Sequence, residues 1–347
     1  MKQVLMAAVL VLAFAGSAYA QDQRAKFDEI RSQEEADPSA AFTAMVALAE
    51  EDFAPATDRV GYYFRHGIGT PIGLSEARAW YARAVSAGHS WSTASLARVE
   101  IELGNEEAAL HLLRTAARTN RPGTRRLLAT AHIDRTLGDP SDPELGRRML
   151  EGMAGDGDTN AARDLIARFN WNRLDGQASH AAVELVVRTG LGGDVRFAEA
   201  ALVYLSRSGD KSDRVIQTRA LLADVPGMHD RILSPERIRL AADTRPDQFW
   251  QAVEEVLVNT ESENYARTAS TAFWINKNAW VRVLQKELSA LGYYSGRING
   301  LMTKRTIRAQ NRFCKDSGLW TTCVTGPLRG STVRTVAAEI ARRKPDA

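Results

Sequence analysis

Two short polar runs are the parts of this chain whose residue types and spacing could do chemistry. Asp156-Gly157-Asp158-Thr159-Asn160 sets oxygen ligands at alternate positions, as a calcium loop does. The glycine expected next is Ala161, and Ala167 stands where a bidentate glutamate should close the sphere. A loop leading into a helix, capped by Asp158 or Thr159, explains these residues better. Glu261-Ser262-Glu263 offers a carboxylic acid for glycoside cleavage, a reaction that needs carboxylates set across a groove. No sugar-groove pattern surrounds it, and an exposed helix start is the simpler reading. His66, His89, His111, His132, His180 and His229 are scattered, with no pair spaced to hold a metal on one helix face. No serine sits in a Gly-x-Ser-x-Gly elbow, and no glycine-rich phosphate loop occurs. The sequence therefore predicts no catalytic residue, no metal site and no cofactor.

Cys314 and Cys323 are the two cysteines of the chain. A close pair in an exported protein reads as a disulfide. Closing so short a loop contributes about 2 to 3 kcal/mol through the entropy of the unfolded chain. Export is read from the other end. Lys2, an apolar run from Val4 to Ala15 and the small-x-small motif Ala18-Tyr19-Ala20 form the layout of a cleavable signal peptide, with the mature chain starting near Gln21. The run is too short for a permanent span, and no cysteine near the cleavage site suggests a lipid anchor. The expected location is the periplasm, without an integral membrane anchor.

The elements that would position any binding residues are helices. From Gln21 to about Ile275 alanine, leucine, arginine and glutamate dominate, prolines are sparse, and short glycine- or aspartate-marked loops interrupt the pattern. The fold class expected is all-α: helical hairpins in a repeat solenoid, followed by a small three-helix domain. One hairpin is clear. Val60-Gly61-Tyr62-Tyr63 leads to Gly67-Ile68-Gly69, and Ala77 to Ala84 with Trp80 and Tyr81 ends at Gly88. Gly61 and Ala84 are small where two helices would cross, and Tyr63, Trp80 and Tyr81 are large enough to fill the space beside them. A second unit repeats the pattern 32 residues on, with Ala109 for Ala77 and Ala116 for Ala84. Weaker echoes lie at Gly146 with Met149-Leu150 and Met153-Ala154, and at Ala201 with Tyr204-Leu205. The pattern resembles the Sel-one-like repeats, relatives of the tetratricopeptide family. The resemblance implies a surface for a protein partner and no chemistry.

The last quarter carries the second resemblance. Val281, Leu284, Leu288 and Leu291 share one helix face, which Gly292 should end. A loop from Tyr293 to Gly300 follows, then helices from Thr306 to Phe313 and from Thr332 to Ile340. With Leu284-Gln285, Leu291-Gly292-Tyr293-Tyr294, Asn299-Gly300 and Gly318-Leu319, this order resembles the three-helix peptidoglycan-binding domain of cell-wall proteins. Asn299, Thr303 and Cys314 depart from that family's usual Asp, Gly and Gln. The resemblance implies ligand contacts at Tyr293, Tyr294, Arg297, Asn299 and Thr306. A bundle that kept the scaffold and lost the ligand is the alternative.

Charge separates the same two parts. Residues from Asn276 to Ala347 include 14 Lys/Arg and 4 Asp/Glu, a net of +10, and the rest of the chain is −7. A basic module meets a polyanion. For an exported chain the carboxylates of peptidoglycan stems fit better than nucleic acid. The expected organisation is a signal peptide (1–20), helical repeats (21–230), a bridging or capping region (231–275) and a peptidoglycan-binding-like domain (276–347), with Trp274 and Trp280 on either side of the last boundary helping to dock the two. The expected function is a non-enzymatic scaffold with peptidoglycan and an envelope protein as partners. The alternatives are a peptidoglycan-remodelling hydrolase or a soluble adaptor.

Overall fold

A computed structural model describes residues 19, 21–118 and 122–344; the expected signal peptide, apart from Tyr19, lies outside them. Every regular element among the described residues is helical. The chain divides between Asp164 and Leu165 into two compact units.

The first unit contains α1 (21–32), α2 (Pro38–Glu50), α3 (Ala54–His66), α4 (Leu74–Ser86), α5 (Ser92–Glu102), α6 (Glu106–Ala117), α7 (Pro122–Ile133) and α8 (Pro143–Gly155). The division falls within α9 (Thr159–Asn170). Successive helices pack as hairpins because small residues let the backbones approach. A Cβ on Gly61 of α3 would stand 3.0 Å from the Tyr81 ring of α4, and one on Gly146 of α8 would stand 2.3 Å from the Ala129 carbonyl oxygen of α7. Only glycine fits the second crossing, where the obstacle is backbone, and at the first the Tyr81 ring would have to give way by a few tenths of an ångström. Tyr63 and Tyr81 are buried beside the first crossing, and burying each ring contributes about 2 kcal/mol. Ala77, Ala84 and Ala109 have no exposed surface and Ala116 very little, so the 32-residue offset relates equivalent core positions. Tyr63 Oη and Arg59 Nε also donate to one oxygen of Glu34, at 2.6 and 2.8 Å, which ties α1's exit to α3.

The second unit contains α10 (His180–Leu191), α11 (Val195–Arg207), α12 (Asp213–Ala223), α13 (Asp230–Thr244), a single turn of 3₁₀ helix (Pro246–Gln248), α14 (Phe249–Val258), α15 (Ser262–Ile275), α16 (Lys277–Ala290), α17 (Lys304–Asp316), α18 (Trp320–Cys323) and α19 (Gly330–Arg343). The α10–α11 hairpin again closes on small residues, Gly190 against Ala198. From Ile238 to Ala341 the apolar side chains of α13 to α19 form one core, with Phe249, Tyr265, Phe273, Trp280 and Phe313 as its large members. The bridging region and the terminal three-helix module are thus packed together. Trp280 lies inside this core, whereas Trp274 is exposed and lies over Gly330 at the start of α19.

Asn276 caps α16 by accepting from the backbone of Asn278 and Ala279, and Thr303 caps α17 by accepting from Thr306 N. α16 ends at Gly292, whose φ is +81°. Cys314 at the end of α17 is bonded to Cys323 of α18.

Candidate functional site

The loop from Tyr293 to Leu301 is built around one buried amide. Gln285 of α16 has no exposed surface. Its Oε1 accepts the backbone N–H groups of Asn299 and Gly300, both at 2.9 Å, and its Nε2 donates to the Leu301 carbonyl at 3.0 Å and Thr306 Oγ1 at 3.1 Å. A polar side chain in an apolar stripe has to find such partners, because leaving a buried amide unpaired is costly. Asn299 Oδ1 accepts from Leu301 N and closes the turn. The bridging helix supports the loop from below. The Trp250 ring lies 3.1 Å from where a Cβ on Gly300 would be, and the Arg282 and Lys286 side chains of α16 pair with Glu254 of α14.

Of the five residues expected to meet a ligand, Arg297 is exposed, Tyr293 and Asn299 are half-buried, and Tyr294 and Thr306 are buried. Tyr294 folds under its own loop and donates its hydroxyl to the Arg297 carbonyl at 2.9 Å. Thr306 joins the Gln285 cluster. Tyr293 packs edge-on against Phe313 and accepts at its carbonyl from Arg312. The structure thus places four of the five on one loop, sets Thr306 beneath it in α17, and turns Arg297 outward.

Beside the loop, α17 shows a row of cations. Lys304, Arg305, Arg308, Arg312 and Lys315 are all exposed, and none forms an ion pair with a carboxylate among the described residues. Lys304, Arg308, Arg312 and Lys315 follow one another at three- and four-residue steps, which places them along one face. Lys315 rests over the Trp320 ring at 4.8 Å.

The far side of the module is fastened by Glu339. Its carboxylate accepts from Arg342 at 2.7 and 2.8 Å and from Arg343 at 2.7 Å. Arg343 also reaches Ser317 Oγ, at 2.7 Å, and the Tyr293 hydroxyl. The hydrogen bonds from Arg342 hold the Glu339 carboxyl down to about 2, against its partial burial and with help from Arg343. A depressed acid pKa contributes stability above the ordinary glutamate value of 4.5 that disappears as pH falls toward 2. Arg342 is 71% exposed, so solvent screens the pair and the contribution is small. Glu339→Gln is expected to lower the urea midpoint at pH 7 and to match the parent at pH 2. A gap that persists at pH 2 would assign the loss to something other than this charge.

A second concavity lies on α10, α11 and α12. This groove, about 810 Å³, has Val183, Val187, Leu191 and Val215 as apolar wall and Glu184, Arg188 and Arg214 as charged rim beside His180, over Tyr204 and Leu205 of α11. The Tyr204 hydroxyl accepts from Ala178 N at 2.9 Å and fixes one end. Groove volumes of this order suit side chains of a bound segment.

The two runs considered for chemistry are both helix starts. Asp158 caps α9 by accepting from Ala161 N at 3.0 Å, and its other oxygen accepts from Arg126 at 3.1 Å. Glu261 precedes α15, exposed, and accepts from Asn264 Nδ2. No group of three or more metal-ligating side chains, and no helix long and apolar enough to cross a membrane, occurs among the described residues.

Sequence reasoning missed the structural roles of Gln285, Trp250 and Arg282. Gln285 was visible in principle: it falls four residues after Val281 and three before Leu288, a polar residue on the apolar face. Trp250 and Arg282 left no local signal.

No family model matches the chain, and no curated protein does. Among solved structures it is similar to a Sel1 repeat protein from Oxalobacter formigenes, with 16% identity and a TM-score of 0.44 over 65% of this chain and 97% of that one. It is also similar to c5321, a protective antigen of uropathogenic Escherichia coli strains displaying an SLR fold, with 16% identity and a TM-score of 0.46 over 94% of this chain and 73% of that one.

Proposed function

We propose that this chain is a non-enzymatic scaffold of the periplasm. Its terminal helices hold it to peptidoglycan, and its Sel-one-like hairpins hold an envelope protein. The observation that carries the wall-binding reading is the unpaired cationic row on α17 beside outward-facing Arg297. Peptide stems of peptidoglycan carry free carboxylates, and guanidinium groups meet carboxylates with paired N–H donors. In this reading Arg297, Lys304 and Arg308 make the contacts, with Tyr293 at the edge. Tyr294, Asn299 and Thr306 act by shaping the loop. The groove on α10 to α12 supports the second half of the reading, a site for a segment of a protein partner.

The test is sedimentation of the mature chain with protein-free sacculi. Truncation at Ile275 would open the shared core, so substitution is the cleaner comparison. Arg297→Ala, Lys304→Ala and Arg308→Ala together remove three exposed contacts worth about 0.5 kcal/mol each, and wall affinity should fall about tenfold. If the parent pellets and the triple variant pellets equally, the assigned surface is wrong. If the parent stays in solution, the chain is a soluble adaptor.

A further inference from the structure

The opposite side of α11 carries a second pocket, formed with α13 and α15, of about 370 Å³. Four arginines line it: Arg207 of α11, Arg231 and Arg239 of α13 and Arg267 of α15. Leu202, Val203, Ile232 and Pro235 supply its apolar lining. Like charges that converge on one pocket repel, so their partners decide what the pocket is for.

Glu236 is the one carboxylate in the lining, and it is committed elsewhere. It is 1% exposed, and one of its oxygens accepts from Arg219 at 2.6 Å. Arg239 reaches its other oxygen only at 3.3 Å. Arg207 donates to the Asn170 carbonyl and, at 2.6 Å, to Asn172 Oδ1. Both acceptors are neutral: they orient the guanidinium and leave its charge standing. Arg231 and Arg267 are exposed and meet no acceptor among the described residues. With four cations and one anion the lining has a net charge of +3. A concave site with apolar walls focuses such a field outward.

We infer that this pocket binds an acidic peptide segment of a partner protein. Glutamate or aspartate carboxylates take the free donors of Arg231 and Arg267, and the peptide's methylene and backbone groups lie on the apolar lining. Guanidinium forks match carboxylates in two-point contact, which a compact ammonium does not. The proposal stands apart from the wall-binding reading. None of these residues belongs to the terminal loop, to α17 or to the groove on α10 to α12.

The test uses the full mature chain and a fluorescein-labelled tetraglutamate peptide, read by anisotropy at low salt. Arg231→Ala with Arg267→Ala should raise the Kd about tenfold or more, as two charge-assisted contacts are lost. Arg329→Ala with Arg334→Ala, at exposed positions assigned to neither site, should leave it within about twofold, since salt screens exposed charges outside a site. A labelled tetraglutamine peptide should not bind, and inorganic phosphate at equal charge should not displace tetraglutamate. The Arg231 and Arg267 side chains hold no partner among the described residues, so unchanged thermal melts should accompany the loss. The inference fails if the parent shows no saturable binding, or if the Arg231/Arg267 variant binds as the parent does. It also fails if the Arg329 and Arg334 substitutions cost as much, which would mean diffuse attraction to a basic protein. Displacement by phosphate would replace the peptide site with one for free oxyanions.

Discussion

Gln285→Leu is expected to destabilise the unit formed by residues 165–347 by about 3 kcal/mol, although leucine fills nearly the same volume. The cost comes from what glutamine leaves behind. The N–H groups of Asn299 and Gly300 lose their acceptor, and the Leu301 carbonyl and Thr306 hydroxyl lose a donor. Gly300 is buried, so water does not replace the acceptor freely. Each unsatisfied buried group costs about 1 to 3 kcal/mol, and relaxation of the loop recovers part of the sum. The urea midpoint reports the stability, and sacculus sedimentation at a temperature where the helices persist reports the loop. A variant whose stability stays within about 0.5 kcal/mol of the parent's would mean that Gln285 does not hold the loop. A midpoint that falls while wall binding survives would detach the loop's shape from the proposed tether.

Arg219→Ala is expected to cost about 3 to 5 kcal/mol, because it strips the main partner from a buried carboxylate. The Arg219 side chain is 5% exposed and joins α12 to α13, with Nε donating to Glu236 at 2.6 Å and another guanidinium nitrogen donating to Asp243 at 3.0 Å. Asp243 keeps Lys211 at 3.2 Å, but Glu236 keeps only the longer contact to Arg239. The double variant Arg219→Met with Glu236→Met should be closer to the parent than Arg219→Ala alone, since charge and counter-charge leave together. Equilibrium unfolding followed by helical signal measures both. If the single substitution costs less than about 1 kcal/mol, solvent reaches this network and the arginine pocket beside it is less enclosed than described.

The parts of the fold legible in the sequence are those set by neighbours a few residues apart. Helix period, caps and breaks are local, so α3 and α4 were readable from Gly61, Tyr63, Trp80 and Tyr81 before any packing was known. The close crossing at Gly61 was readable too, since a glycine between tyrosines on a helix has few reasons to be there except approach of a second backbone. The 32-residue offset survived as equivalent buried alanines. Cys314 and Cys323 were readable as a bond because a close pair has few other uses in a chain expected to be exported. A cap at Asp158 or Thr159 was readable for the same reason of proximity, and the structure assigns it to Asp158.

The orientation of loop residues was not legible. Tyr294 belongs to its loop by sequence, but whether it points outward is decided by the space that Gly296 leaves for its hydroxyl. Thr306 was readable as a helix start, while its burial depends on Gln285 arriving from another helix.

By itself, then, the sequence determined an all-α chain of hairpins with a basic terminal module, because helix period, caps and charge depend on residues near one another. Only the tertiary structure decided that the bridging helices and the terminal module share one core, that Gln285 holds the loop, and that four arginines from three helices open onto one pocket. Arg207, Arg231, Arg239 and Arg267 have no common spacing in the chain. What brings them together is the packing of α11, α13 and α15, where the local pattern of each helix fixes its own buried face but not which charges of its neighbours will stand beside it.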